Sequence, residues 1–170
     1  FYGRITSANF VLGLDSPQTD WCTVTPTKRH FTTPVFGLNN KTSLCTDTGL
    51  LVDSDVLMIR RASTAVAPIL VDAQHYIQSN FDDVILAKGD LANFTLTEMD
   101  GTTLAPIHEF YQDVYYVDSD NNFKRRRLVN GAIVDEPLIE GVDDFQLQYG
   151  IDTDADNIAD TFTTTPAHTN

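Results

Sequence analysis

The stretch EGVDDFQLQYGIDTDADNIAD, residues 140–160, decides how this chain is interpreted, because a strand pattern runs directly into a cluster of acids. Every second residue of its first part is large and apolar: Phe145, Leu147, Tyr149 and Ile151. Polar or small residues stand between them. A period of two predicts a half-buried β-strand whose apolar side chains share one face.

Four carboxylates follow this strand pattern at positions 1, 3, 5 and 9 of a short loop, those of Asp152, Asp154, Asp156 and Asp160. Alternate residues of a tight loop can turn their oxygens toward one hard cation, and the main-chain carbonyl of Ile158 at position 7 can join them. We therefore predict a calcium site in this Asp-rich loop, 152–160. The loop is not an EF-hand, because Thr163 replaces the glutamate of position 12 and a strand precedes it. A solvated acidic turn is the alternative.

Composition predicts a single globular domain that spans residues 1–170. Apolar residues make up 42% of the chain, which is enough for a core, and the net charge of −13 argues against nucleic acid or anionic lipid as partners. Residues 128–170 contain nine acids and no base, so they carry −9 of that charge. A bound cation would relieve part of the repulsion.

The two cysteines, Cys22 and Cys45, lie within a Thr- and Pro-rich region, 15–48, that has little regular pattern. A loop of this length is uncommon in a compact domain unless it is functional or cross-linked. We predict a disulfide that stabilises the loop by about 3 kcal/mol and places the protein in an oxidising compartment such as the periplasm. Two free thiols are the alternative.

Short apolar runs separated by turns predict further strands at 56–59, 84–87, 94–97, 114–117, 123–129 and 132–134. The first is expected to reach solvent at Arg60 and Arg61. Asn130-Gly131 predicts a type I′ hairpin, and Asp100-Gly101 predicts a second turn. The chain is therefore expected to be mainly antiparallel β.

The only run of basic residues is Lys124-Arg125-Arg126-Arg127. On a strand at most two of these side chains share a face. The run is typical of a charged edge strand that prevents unwanted pairing, and the alternative is contact with an acidic partner.

The residues give little sign of catalysis. The histidines are scattered and are expected to be exposed or hydrogen-bonded: His30, His75, His108 and His168. A nucleophile elbow and a phosphate-binding loop are both missing from the sequence. We expect a protein that is not an enzyme, although the aspartate pairs leave a carboxylate-based hydrolase open.

Three segments together resemble the PilW family of type IV pilus minor pilins: SDVLMIRRAS (54–63), YYVDSDNNFKRRRLVNG (115–131) and PLIEGVDDFQLQYGIDTDADNIAD (137–160). The loop of family members commonly reads Asp-Thr-Asp-Gly-Asp-Gly, whereas Ala155 and Asn157 replace the glycines here. The resemblance implies an α+β fold, a pilin-like globular domain made mainly of antiparallel sheet. It also implies a long hydrophobic N-terminal helix, which this sequence lacks, so membrane contact is expected only through that missing helix.

The resemblance further implies a structural minor pilin in a tip or priming complex that initiates type IV pilus assembly and so supports twitching motility. Its expected partners are other minor pilins and the major pilin. It would lie in the inner membrane and periplasm before assembly and at the pilus tip afterwards. Two alternatives stay open, a minor pseudopilin of type II secretion and a calcium-dependent adhesin or carbohydrate-binding module.

Overall fold

The computed structural model describes residues 20, 22–32, 34–45, 49–154, 156 and 158–164. A seven-stranded antiparallel sheet dominates it, and a two-stranded sheet follows in the chain. The described strands are β1 (Val35–Leu38), β2 (Val56–Val66), β3 (His75–Ser79), β4 (Val84–Lys88), β5 (Ile107–Val117), β6 (Asn122–Val129), β7 (Ala132–Glu140), β8 (Tyr149–Ile151) and β9 (Thr161–Thr163). The helical segments of the described residues are two 3₁₀ helices, Lys28–Thr32 and Leu91–Asn93.

Strand β5 is the centre of the large sheet. One of its sides pairs with β2, which in turn pairs with β1. Its other side pairs with β3 at residues 107–109 and with β6 at residues 113–117. The β3–β4 and β6–β7 hairpins therefore lie side by side along one edge of β5.

Gln74 joins these two hairpins. Its side-chain amide donates to Glu109 Oε1 (3.0 Å) and to the carbonyl of Phe110 (3.4 Å), and its Oε1 accepts the main-chain amide of Asn130 (2.8 Å). Asn130 and Gly131 both have positive φ, 48° and 74°, as a type I′ turn requires. The predicted hairpin at Asn130-Gly131 is therefore confirmed. Gln74, the residue just before β3, holds the turn of this hairpin in place.

The main core lies on the face of the sheet toward which the even-numbered residues of β5 point. It contains seven buried side chains: Phe36, Leu44, Leu50, Val56, Met58, Val114 and Tyr116. A smaller cluster, Tyr76, Phe94 and Ile107, packs on the other face near the start of β5. Each face therefore has its own apolar cluster.

The sequence prediction that the first strand ends in solvent at Arg60 is wrong, because β2 continues to Val66. Arg60 is only 2% exposed. Its guanidinium donates to Gln112 Oε1 (2.9 Å) and to the carbonyls of His30 (3.3 Å) and Asp20 (2.8 Å). Burial lowers the pKa of Arg60 to about 10, against the opposing effect of Asp20, and these acceptors replace the water that the guanidinium has lost.

The predicted strand at 94–97 does not form either. The amide of Leu96 donates to Oε1 of Gln78 (3.0 Å), and Nε2 of Gln78 donates to the carbonyl of Leu96 (3.1 Å). The buried side chain of Gln78 thus accepts the Leu96 amide, while the segment that follows the turn donates to Leu96 from Ala105 (2.9 Å) and accepts from Glu98 at Thr103 (2.8 Å). Only Thr97 forms a bridge, with Leu104, across the predicted turn at Asp100-Gly101. There Gly101 has φ 70° while Asp100 does not have positive φ, so the turn exists but is not type I′.

The mainly antiparallel β character is confirmed. The α+β label is not supported by the described residues, whose helices are short 3₁₀ turns, and residues 1–19 lie outside the described part of the chain. Region 15–48 is more regular than expected, since it contains Lys28–Thr32 and β1. The structure forms the predicted disulfide between Cys22 and Cys45, whose Cα atoms lie 6.1 Å apart.

The prediction that the basic run forms an edge strand is wrong, because β6 pairs with β5 on one side and β7 on the other. Each cation is instead paired within the chain. Lys124 contacts Asp118 (2.5 Å) and Arg126 contacts Asp135 (2.6 Å), while Arg125 pairs with Glu136 and Arg127 with Asp113 (2.6 Å). The run therefore neutralises acids of its own sheet, which also removes the reason to assign it to an acidic partner.

Candidate metal-binding loop

The segment before the Asp-rich loop shows the predicted alternation of buried and exposed side chains, but the β-strand that it forms is shorter than predicted. Phe145, Leu147, Tyr149 and Ile151 are partly buried, and the residues between them are exposed. Only Tyr149–Ile151 forms a strand, β8, which pairs with β9 rather than with the large sheet.

A buried carboxylate explains why residues 145–148 do not join a ladder. Asp55, which is 1% exposed, accepts the amide of Leu147 (2.7 Å) with Oδ2 and the amide of Asn40 (2.9 Å) with Oδ1. Its own main-chain amide donates to the carbonyl of Phe145 (2.8 Å). One side chain thus fastens the chain that precedes the loop to the start of β2. Sequence analysis missed Asp55, and its position just before an apolar run was the only signal available.

Aromatic packing completes this attachment on the face of the sheet opposite the main core. The ring of Phe145 packs against Phe123 at 5.1 Å between centroids, and Phe123 stacks on Tyr115 at 6.0 Å. Tyr149 approaches β1 so closely that a Cβ on Gly37 would overlap its hydroxyl. The entry to the loop is therefore fixed by packing as well as by hydrogen bonds.

Three of the predicted ligands come together in the structure. Carboxylate oxygens of Asp152, Asp154 and Asp156 all lie within 4.8 Å of one another, and the three side chains are exposed. Since calcium–oxygen distances are about 2.3–2.6 Å, two ligands of one ion lie at most about 5 Å apart, so this spacing fits a shared ion. It is the only such group among the residues that the structure describes.

Each of these carboxylates accepts a hydrogen bond from the main-chain amide two residues further along the chain. Oδ1 of Asp152 accepts the amide of Asp154 (3.2 Å), Oδ1 of Asp154 accepts the amide of Asp156 (3.2 Å), and Oδ1 of Asp156 accepts the amide of Ile158 (2.7 Å). These repeated Asx turns curve the loop, which is also how aspartates stabilise a loop without a metal. Ala155 and Asn157, the residues at the family's glycine positions, lie outside the described residues.

Asp160 does not join the group in this structure. Its Oδ2 accepts both the hydroxyl (2.6 Å) and the amide (2.7 Å) of Thr153, and these bonds lower its pKa. Its own amide donates to the carbonyl of Ile151 (2.9 Å), which closes the base of the loop. Asp160 therefore acts here as a clamp across the loop. The ligand role predicted for the Ile158 carbonyl stays a prediction.

The histidines differ from one another. Nδ1 of His30 bonds to Thr27, and Nδ1 of His108 bonds to the carbonyl of Ala65 (3.1 Å), as expected. His75 is instead buried, and its Nδ1 has no hydrogen-bond partner. Burial and the nearby Lys88 lower its pKa, which favours the neutral ring. His168 lies outside the described residues.

Comparison with known proteins places the Asp-rich loop within a region that matches a family model. The PilW family model, described as type IV pilus-assembly protein W, matches residues 114–170. The match includes two of the three segments on which the sequence resemblance rests and leaves out 54–63. No significant match was found among curated proteins or among solved structures. Among the described residues, no helix is long and apolar enough to cross a membrane.

The matched region runs from the second half of β5 to the end of the chain. It contains the whole basic strand β6, the edge strand β7 and the loop that β8 and β9 enclose. Over this last third of the chain, residues 114–170, the protein is therefore similar to the PilW family of type IV pilus-assembly proteins.

Proposed function

We propose that this chain is the globular part of a minor pilin that joins other minor pilins in a priming complex at the pilus tip. The observation that carries the proposal is the family match over residues 114–170. This similarity supports a role in type IV pilus assembly and an association with the cell envelope or the pilus. The priming complex, the periplasmic stage and the contact with the major pilin are the steps that we add.

Two features of the fold support a structural role. Its four consecutive basic residues are used in ion pairs inside the sheet, and the segment before the Asp-rich loop is fastened to β2 by a buried carboxylate. Both sets of contacts are intramolecular and stabilise the folded chain. We accordingly propose that the protein binds by surface contact and carries out no reaction.

We also propose that calcium binds the Asp-rich loop through Asp152, Asp154 and Asp156. The spacing of their oxygens supports this, and so does the lack of any base after Arg127. An ion here would reduce repulsion among three exposed carboxylates and would stiffen the link between β8 and β9. Asp160 could add a ligand only after leaving Thr153.

The exposure of these carboxylates also favours a second candidate, a calcium-dependent adhesin or carbohydrate-binding module. In such a protein the ion keeps open positions for a ligand, whereas a structural ion is enclosed by the protein. Calcium-dependent binding of the chain to a glycan array would support the second candidate. A minor pseudopilin of type II secretion is the other alternative, and the proteins that co-purify with the chain would distinguish it from a pilin.

Co-purification tests the priming proposal. The chain, tagged and produced with the other minor pilins of its own organism, is expected to retain at least one of them through washes at moderate ionic strength. Failure to retain any minor pilin would count against the priming complex.

A further inference from the structure

An apolar groove lies at the end of the large sheet farthest from the Asp-rich loop. Asp55, which anchors the loop segment, precedes the first residue of β2, whereas the groove begins just past its last, Val66. An 11-residue strand is about 35 Å long, so the two sites lie at opposite ends of the molecule. The groove runs between the β2–β3 connection and the turn after β4.

The groove combines aliphatic walls with two acids. Ala67 and the buried Ile107 line it, together with Ile69 and Leu91, which have 77% and 61% of their surface exposed. Asp72 and Asp90 are its charged lining residues, and none of its lining residues is basic.

The groove is formed before any partner arrives. The hydroxyl of Tyr76 accepts the amide of Val71 (3.0 Å) and donates to the carbonyl of Ile69 (3.5 Å), which fixes one wall. Gly89 donates to the carbonyl of Gln74 (3.0 Å) and lies so close to Val71 that a Cβ would overlap the Val71 carbonyl. The two walls therefore touch at this point, one residue away from each acid.

Neither acid is neutralised by a cation among the described residues. Asp90 uses Oδ1 to cap the 3₁₀ helix at Ala92 (3.0 Å), and its Oδ2 makes no hydrogen bond or ion pair with the residues that the structure describes. Lys88 lies opposite His75 in the β3–β4 register, so it shares the face of His75 and not that of Tyr76, which contacts the groove wall. The negative charge of the groove is therefore available to a partner.

We propose that this groove docks a basic, aliphatic segment of a partner protein, with a lysine or arginine side chain as its anchor. Such a side chain places its methylene stem on apolar surface and keeps its charged end at the rim, next to carboxylates. Here the stem would lie between Ile69 and Leu91, and the charged end would meet Asp72 and Asp90. An anionic lipid surface or a nucleic acid would be repelled by the same two acids.

The inference does not depend on the priming complex, because binding can be measured on the isolated chain. We suggest NMR titration of the ¹⁵N-labelled protein with three short peptides that differ only in composition. One alternates leucine with lysine, the second alternates serine with lysine, and the third alternates leucine with glutamate.

The leucine–lysine peptide is expected to cause saturable shifts at residues 67–72 and 89–91. The serine–lysine peptide should bind more weakly, since it lacks apolar contact, and the glutamate peptide should cause no shift there. The double variant Asp72→Asn/Asp90→Asn should weaken binding of the leucine–lysine peptide at least about fivefold, because two rim charge pairs are lost. Asp82→Asn, at an exposed site on the β3–β4 turn, is the matched control and should leave binding unchanged.

Two results would overturn the proposal. One is a leucine–lysine peptide whose shifts are centred on residues 140–160, which would mean general attraction to acidic surface. The other is equal affinity for the double variant and the original chain.

Discussion

Asp55 is the single residue on which the position of the Asp-rich loop depends most. Its two carboxylate oxygens accept amides from segments that are far apart in the chain, at Asn40 and Leu147. A buried acceptor of this kind costs little while both donors are present and much when one is lost. Sequence patterns cannot reveal this, because nothing local distinguishes a buried aspartate from an exposed one.

Replacement of Asp55 by asparagine should therefore destabilise the fold. The new amide group must face one of the two N–H donors, which leaves a buried donor unsatisfied, and we expect a loss of about 2 kcal/mol in the free energy of unfolding. Urea denaturation measures it. Asp53→Asn, at an exposed neighbour whose φ of 64° asparagine tolerates, should change stability by less than about 0.5 kcal/mol. Equal effects of the two substitutions would refute the anchoring role.

Asp118 should make stability depend on pH in the acid range. Burial alone would raise its pKa, but bonds from Lys124 and Asn122 outweigh burial and lower it to about 2, below the ordinary value of 3.8. A lowered carboxyl pKa stabilises the folded state above the ordinary value, and that contribution is lost as the pH falls from about 4 to about 2.

The stability difference between the original chain and Asp118→Asn should consequently shrink by about 2 kcal/mol between pH 5 and pH 2. Urea unfolding at several pH values measures this difference, and subtraction removes the titration of the other acids. Asp120→Asn is the control, at an exposed carboxylate two residues away. A difference that stays constant with pH would contradict the assigned pairing.

At the scale of elements, strands with a clear pattern and turns with special backbone needs were predictable. The Asn130-Gly131 hairpin is an example, because type I′ geometry strongly selects that dipeptide. Predictions failed where a buried polar side chain replaced a strand or a solvent contact. The side chain of Gln78 accepts the Leu96 amide that a strand partner would have bonded, and Arg60 continues β2 because distant carbonyls accept its donors. Both depend on tertiary contacts that no local window contains.

The Asp-rich loop was predicted only in part for a similar reason. Spacing alone brings Asp152, Asp154 and Asp156 together, since alternate residues of a tight turn share one side. Asp160 was grouped with them by the same count, but Thr153 supplies two donors to it across the loop. Local geometry thus favours three ligands, and a fourth requires a rearrangement.

Calcium binding at this loop should be visible as thermal stabilisation. Millimolar calcium, compared with chelator, is expected to raise the melting temperature by about 5 °C if the ion binds the folded chain only. The triple variant Asp152→Asn/Asp154→Asn/Asp156→Asn should lose the effect, whereas Asp143→Asn/Asp144→Asn should retain it. Asp160→Asn should reduce it less than the triple variant does. Identical melting curves with calcium and with chelator would exclude the site.

At the scale of the whole molecule, the strands β2 and β5 separate two different ends. The acidic loop lies at one end and the apolar groove at the other. The basic side chains of β6 form ion pairs with acids of the same chain. A subunit with two chemically different ends can contact two different neighbours, which supports the proposed place in a priming complex.

Pilus number in the source organism tests the central claim most directly. A strain that lacks this gene should show far fewer surface pili by electron microscopy, and the full-length gene should restore them. An adhesin, by contrast, should be dispensable for fibre formation and needed only for attachment. Normal numbers of pili in the deletion strain would contradict the proposed role in initiating pilus assembly.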